Sequence, residues 1–243
     1  MNEISGARIV ENREVARGSR WLVLESEDIA PGWEPGHIAA IYVPDLGGGW
    51  VRHPYTISAV EPERLGILYR VIPGGRITPQ LAELPVGATL RLGGRFGEPV
   101  RRLAPSGPVV GVSTGTGVGP LYGFARTQTG RSITLITGFR EAVDIPFSSE
   151  LTTMGVDWRP VLSRPHTGYA GRVGHVGEHL AEAPKDAHFH LVGNGVMVAE
   201  VRAALLEVGV PKERVTTETY FNKGAPPDPE RVAAITMRLQ ERW

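Results

Sequence analysis

The rhythm of the chain changes once, near residue 105, and this change constrains the fold more than any single motif does. Up to Leu103, short runs rich in β-branched and aromatic residues alternate with Gly and Pro punctuation: RWLVLES, HIAAIYV, RLGILYRVI and ATLRLGG. Short runs at even spacing, without a long 3.6-residue period, predict an antiparallel barrel or sandwich with one short helix near PQLAEL. From Pro108 the candidate buried strands are PVVGV, SITLIT, WRPVLS, FHLVG and RVTTETY. Helical stretches lie between several of them, most clearly VMVAEVRAALLEVG, which closes on Gly209 as a C-cap. Such alternation predicts a mainly parallel sheet with right-handed crossovers. The expected organisation is two-domain, with an antiparallel β-barrel over 1–104 and an α/β parallel sheet over 105–221, joined by RRLAPSGP as a short linker. Residues 222–243 form an extension, in which Asp228 caps a short helix, Pro229 takes its first position, and Val232, Ile235 and Leu239 share one face.

Composition narrows the chemistry. The 243 residues include no cysteine, which excludes disulfides, thiolate metal sites and a catalytic thiol, so any redox chemistry needs a bound cofactor. Lys and Arg together number 26, as do Asp and Glu, so the field of a general nucleic-acid binder is missing. The first residues, MNEISGARIVENREVARG, carry charges where a signal peptide needs an apolar core, and no later run reaches the ~18–20 apolar residues of a membrane span. A soluble, cytoplasmic protein with no membrane partner is expected. The seven histidines form no H-x-x-x-H pair and no metal site is expected; His188 and His190 alternate in a strand and read as structural.

Three segments carry candidate chemistry. In VVGVSTGTGVGP (109–120) a β-run feeds a loop containing Gly115, Gly117 and Gly119, and Pro120 sets the first turn of a helix, so backbone N–H groups can face an anion. The loop lacks the Gly-Lys-Ser/Thr ending of a triphosphate loop. Gly111-Val-Ser113-Thr-Gly115 matches the nucleophile elbow of a serine hydrolase, although Gly117, Gly119 and Pro120 delay the helix beyond where an elbow needs it. A dinucleotide pyrophosphate loop fits better, and a glycine turn that serves only close packing stays open. In VIPGGRITPQL (71–81) Thr78 before Pro79 reads as an N-cap, with the N–H groups of Arg76, Ile77 and Thr78 available to a diphosphate or to ordinary capping. In RHPYTIS (52–58) Tyr55 and Thr56 point to opposite faces of a strand, where a tyrosine can lie flat on an aromatic ring or simply be half-buried.

These segments occur in one order: RHPYTIS, GGRITPQL, STGTGVGP, GFR, LSRP, GNGVM and ETY. The series resembles the ferredoxin-NADP reductase superfamily, over about residues 5–221, and most closely its bacterial ferredoxin or flavodoxin reductases. The resemblance implies an FAD-binding β-barrel followed by a Rossmann-like NADP-binding domain. It implies hydride transfer between NADPH and the flavin, then single electrons to or from a separate ferredoxin or flavodoxin. It also implies Tyr55 stacked on the isoalloxazine, Thr56 at flavin N5 with Ile57 beside it, and Tyr69, Arg70 and Val71 lining the flavin and its ribityl or adenosine part. Gly75, Arg76, Ile77 and Thr78 match the pyrophosphate binders of FAD, and Thr114, Gly115, Thr116 and Gly117, with Gly193 opposite, match the nicotinamide loop. Arg140, Ser163 and Arg164 match the ribose-phosphate site of NADP, and Glu218 and Tyr220 match the acidic residue near the reaction centre and the aromatic cover. Tyr55, Thr56, Glu218 and Tyr220 are thus the expected catalytic residues, in a monomer.

The chain departs from the family pattern in four ways. His53 stands where the family usually has Arg; Val192 replaces a frequent Cys; an extension of 22 residues follows Phe221; and no cysteine is present for a fused iron–sulfur domain. The extension is expected to cover the adenine end of FAD, to cover the flavin, or only to pack on the surface. The rival readings are an NADH-dependent reductase component of an oxygenase-type system and, from another class, a hydrolase using Ser113.

Overall fold

A computed structural model describes residues 3–29, 31–45, 47–128 and 130–243. Six antiparallel strands form a closed barrel: β1 (Glu3–Ala16), β2 (Ser19–Glu25), β3 (Ile38–Pro44), β4 (Trp50–Glu61), β5 (Arg64–Arg70) and β6 (Thr89–Phe96). Helix α1 (Thr78–Glu83) lies between β5 and β6, and the four-residue α2 (Val100–Leu103) occupies part of the expected linker. The spatial order is β1-β2-β5-β4-β3-β6, and β1 closes it by pairing with both β2 and β6. Alternate residues fill the interior: Ala39, Ile41 and Val43 from β3, Leu90 and Leu92 from β6, Ile57 from β4, and Leu65 and Ile67 from β5. Gly66 admits the indole of Trp21, whose ring would lie 2.4 Å from a Cβ at that position.

Strand β1 was not foreseen. Its inward residues Ala7 and Ile9 stand among charges, and bulges between Ile9 and Glu11 and between Glu14 and Ala16 break the alternation that marks a strand in a sequence.

The second half alternates as expected. Strands β7 (Val109–Thr114), β8 (Ile133–Phe139), β9 (Asp157–Leu162), β10 (Arg172–Val173), β11 (His188–Asn194) and β12 (Val215–Phe221) form a parallel sheet in the order β10-β9-β8-β7-β11-β12. The helices are α3 (Val118–Thr127), α4 (Ser148–Thr153), α5 (Gly195–Glu207) and α6 (Pro229–Arg242). One face of the sheet, with Val110, Val112, Ile136, Phe189 and Leu191, packs on Val198, Val201 and Leu205 of α5 and on a 3-10 segment, Val176–Glu182. The chain separates into two compact units, Met1–Arg102 with Gly119–Thr127, and Leu103–Val118 with Gln128–Trp243. In the first, Gly123 of α3 meets β4 backbone to backbone, and a Cβ there would stand 1.7 Å from the Ser58 carbonyl oxygen.

The extension is a packed helix. Asp228 caps α6 by accepting from the Glu230 N–H at 3.0 Å, and Ile235 and Leu239 are buried against the second unit. Arg231 pairs with Glu178 at 3.1 Å, and the Trp243 indole N–H donates to the Ala183 carbonyl at 3.1 Å, with its ring 5.8 Å from Phe189. Of the three roles expected for this segment, packing is the one its contacts serve.

His188 Nε2 and His190 Nδ1 both meet the Thr216 hydroxyl, at 2.8 and 2.9 Å. Burial, with His188 adding to it, pushes His190 down to about 4, from 6.5. An unfolded chain therefore binds a proton here between pH 6.5 and 4 that the folded chain refuses, so stability falls as pH falls through that window and this loss levels off below it. The full loss is roughly 3 kcal/mol. His190→Asn, which keeps a polar atom facing Thr216, flattens that part of a urea-unfolding profile measured from pH 7 to pH 4. An unchanged slope would mean that His190 is not the group titrating.

Candidate functional site

On β4 of the barrel, His53, Tyr55 and Ile57 share one face by alternation, and Thr56 takes the other. His53 is exposed, whereas Tyr55, Thr56 and Ile57 are buried. The Tyr55 ring stands 4.9 Å from the His53 ring and 6.1 Å, nearly edge-on, from that of Tyr69. Its hydroxyl is buried without a hydrogen-bond partner, an arrangement that costs about 1–3 kcal/mol and leaves a donor in want of an acceptor. Burial pushes the Tyr69 phenol up to about 12, against the pull of the Arg20 guanidinium.

The Tyr69 hydroxyl donates to Asn12 Oδ1 at 3.0 Å. The same oxygen accepts from Arg20 Nε at 3.1 Å, and Arg20 Nη2 donates to the Asn12 carbonyl at 2.6 Å. Asn12 Nδ2 donates to the carbonyls of Leu81 and Leu84, at 2.8 and 3.1 Å, at the end of α1. Asn12 and Arg20 gave no sequence signal, since each is a polar residue in a run of charges.

The 70–78 loop corrects one expectation. Ile77, not Thr78, occupies the cap position of α1, and it makes no side-chain cap. Thr78 is instead the first helical residue, and its hydroxyl accepts from the Ile72 N–H at 2.8 Å, which ties the loop closed. Within that loop the Gly75 N–H donates to the Ile72 carbonyl, which a Cβ on Gly75 would approach to 2.9 Å. Arg76 is held by Asp45 at 2.5 Å, Arg70 is exposed, and the Val71 N–H donates to Gly18. A cavity of about 480 Å³ adjoins this ion pair, lined by Val43, Pro44 and Asp45 on one side and Pro79, Gln80, Glu83 and Leu84 of α1 on the other.

In the second unit the carboxyl edge of the sheet is interlocked. Thr114 Oγ1 accepts from the Asn194 N–H at 2.9 Å, and Asn194 caps α5 by accepting from Val196 at 3.0 Å. Gly193, at φ 129°, lies so close that a Cβ would stand 2.5 Å from Thr114 Oγ1, and a Cβ on Gly117 would stand 2.6 Å from the Val192 carbonyl. Close packing thus accounts for Gly117 and Gly193. Gly115 differs: its φ is 56° and a Cβ there would meet nothing within 4 Å, so Gly115 borders open space. A 3-10 turn over Gly115–Gly117 follows Thr114 at once and runs into α3, so helical winding begins sooner than the glycines imply.

Ser113 is fully buried inside β7 with its hydroxyl unpartnered. A nucleophile elbow lifts its serine out of the strand onto an exposed turn, so the hydrolase reading fails on access.

Glu218 and Tyr220 sit half-buried on β12. The pairing passes from Gly193–Thr219 to Asn194–Phe221, which leaves Tyr220 as the extra residue of a bulge and re-aims its side chain. Past β8 and β9, the Ser163 N–H donates to Phe139 and the Arg164 N–H to Arg140, at 2.9 and 2.8 Å, which sets Arg140 and Arg164 side by side. Both arginines and Ser163 are exposed, and among the described residues no ion pair joins either arginine to a carboxylate. The buried Asp144 carboxylate accepts from the Glu141 N–H instead.

A closed antiparallel barrel followed by a parallel sheet with a glycine loop at its carboxyl edge is the build of the two-domain reductases. The chain is 30% identical over 236 residues to ferredoxin–NADP reductase B of Sorangium cellulosum, an alignment covering 88% of this chain and 96% of that one. It is 31% identical over 153 residues to the electron transfer subunit of dihydroorotate dehydrogenase B (NAD(+)) of Shouchella clausii, covering 60% of this chain and 58% of that one. Among solved structures, a Malassezia yamatoensis flavohemoglobin with bound FAD and heme aligns with TM-score 0.80 at 21% identity, over 91% of this chain and 61% of that one. A Neisseria gonorrhoeae ferredoxin NADP+ reductase with bound FAD and NADP aligns with TM-score 0.77 at 17% identity, over 91% of this chain and all of that one. No family model matches the chain. The chain belongs to the ferredoxin–NADP reductase family.

The two kinds of glycine are separable by mutation. Gly193→Ala adds a clash to an unfavourable φ and lowers stability by about 3 kcal/mol or more, whereas Gly115→Ala, with room for its methyl group, costs about 1–2 kcal/mol. Equal shifts in urea midpoint would overturn the division.

Proposed function

We propose that the chain is an FAD-dependent reductase that carries electrons between NADPH and a separate ferredoxin or flavodoxin. Bound FAD supplies the chemistry, because it takes two electrons together as hydride and releases them singly. The observation that carries the reading is the Tyr55 hydroxyl, a buried donor without an acceptor beside the Tyr69 ring, which a polar group of a bound flavin would satisfy.

On this reading Tyr55 offers its ring to the flavin, Thr56 presents its main chain or hydroxyl to the N5 edge with Ile57 behind it, and Tyr69, Arg70 and Val71 line it. Gly75, Arg76, Ile77 and Thr78 hold the FAD pyrophosphate, with His53 in place of the family's Arg, and the cavity between β3 and α1 receives another part of the dinucleotide. Gly115, which borders open space, and its neighbour Thr116 take the NADP pyrophosphate, with Thr114, Gly117 and Gly193 shaping the edge behind them. Arg140, Ser163 and Arg164 bind the 2′-phosphate. Glu218 holds or moves a proton at its carboxylate, and Tyr220, turned by its bulge, covers the nicotinamide position until the nucleotide displaces it. Both partners are expected in the cytoplasm, with this chain as a monomer. Among the described residues no helix is long and apolar enough to cross a membrane.

A second reading is an NADH-dependent reductase component of an oxygenase-type system; two relatives carry the name of a reductase subunit or component, neither name specifying NADH. These are the reductase subunit of an Amycolatopsis aromatic O-demethylase, 30% identical over 183 residues, and a Ralstonia ferredoxin–NAD(P)(+) reductase component, 25% identical over 207 residues. The arginines decide between the readings. Charge-assisted bonds to a 2′-phosphate are worth about 1.5–3 kcal/mol each, so Arg140→Ala and Arg164→Ala each raise KM for NADPH about tenfold or more and leave KM for NADH nearly unchanged. Equal losses for both nucleotides would remove the NADP assignment.

The spectrum of the purified protein tests the rest. A yellow protein with one FAD per chain, bleached by NADPH without air, is expected. A folded, colourless protein that takes up no FAD on titration would end the proposal.

A further inference from the structure

The barrel holds a polar residue to which the proposed chemistry gives no role. Asn12 uses both halves of its carboxamide: the oxygen accepts from Tyr69 and Arg20, and the nitrogen donates to two carbonyls at the end of α1. Its own carbonyl takes a further bond from Arg20. One half-buried side chain on β1 therefore fixes residues on β2, β5 and α1 at once. The bond to Tyr69, with the Arg20 guanidinium beside it, fixes the hydroxyl end of a ring whose body packs on apolar side chains that give little directional preference. Tyr69 in turn meets Tyr55 edge-on at 6.1 Å, with interplanar angle 75°. An edge-to-face pair is directional, so the tilt of one ring constrains the other. Tyr55 has no competing tether at its own hydroxyl.

We propose that Asn12 is a positioning residue for the flavin, acting through Tyr69 to set the face that Tyr55 presents. The proposal rests on the flavin reading above and adds to it a residue that touches no cofactor. Arg20 completes the arrangement by holding the Asn12 oxygen and carbonyl, so that the carboxamide cannot flip.

The test uses the full chain loaded with FAD, and reads flavin fluorescence and visible circular dichroism at a temperature well below unfolding. Contact with a stacked tyrosine quenches a flavin, so Tyr69→Phe, which removes only the hydroxyl, raises the fluorescence about twofold or more and alters the dichroism as Tyr55 loses its fixed tilt. Asn12→Leu has the same effect. Because both act through one bond, the double variant is no brighter than Asn12→Leu alone. Fluorescence unchanged in Tyr69→Phe, or effects that add in the double variant, would overturn the proposal. If Asn12→Leu fails to fold, Asn12→Ala takes its place in the same comparison, because Tyr69 itself lines the proposed flavin site and its substitution alone does not isolate Asn12. A wild-type chain that takes up no FAD shows instead that the flavin reading beneath the proposal has failed.

Discussion

Closure of the barrel by β1 is the constraint on which the rest of the first unit depends. A six-stranded sheet shuts only when its two outermost strands pair with each other, here β1 with β6; β1 meets β6 through its first half and β2 through its second. The bulges that bend it between those partners also remove its in-out regularity. Once the barrel is shut, no edge remains to be covered, and a polar group can be placed inside provided that every bond it needs is met within. Asn12, half-buried on this strand, meets that condition through Tyr69, Arg20 and the carbonyls at the end of α1, and its own carbonyl accepts from Arg20. The same strand therefore closes the sheet and carries the polar hub.

The parallel sheet meets a different demand. Its carboxyl edge has to stay open to a ligand while the loops that form it stay fixed. Fixity comes from side-chain locks behind the edge, Thr114 to Asn194 and Asn194 to the first turn of α5, and from glycines that let Gly117 and Gly193 touch their neighbours' backbone atoms. Gly115 borders open space, and the arginine pair is exposed. The extension adds weight to the opposite side of the fixed part, since α6 buries Ile235 and Leu239 against the core behind the sheet.

Much of this was legible in the sequence. The alternation of Ala39, Ile41 and Val43, and the apolar run that opens β7, carry the periods of half-buried and fully buried strands, so an antiparallel barrel or sandwich and a parallel sheet could both be read from residue order. The cap at Asp228 and the helix end at Gly209 were legible too, because the bonds that make them join near neighbours. What could not be read depends on contacts between distant residues. Thr78 before Pro79 looks like a cap, and only the fold shows that its hydroxyl is taken by Ile72. Three glycines in one loop look equivalent, and only the position of Val192 separates Gly117 from Gly115. Asn12 in a charged run carries no mark at all, because its partners lie about 8 to 72 residues away.

The bulge at Tyr220 has a consequence beyond the aim of that side chain. Strand β12 is one border of the parallel sheet, and the border at the other side, β10, is only two residues long. A further strand adding to β12 would meet a broken ladder at the bulge, and one adding to β10 would find almost no ladder to extend. With the barrel closed upon itself, the twelve strands among the described residues offer little unbroken edge for joining sheet to sheet, even though Phe221 lies 53% exposed at the end of one border. The irregularity that turns a tyrosine is thus also a guard against fibrous association.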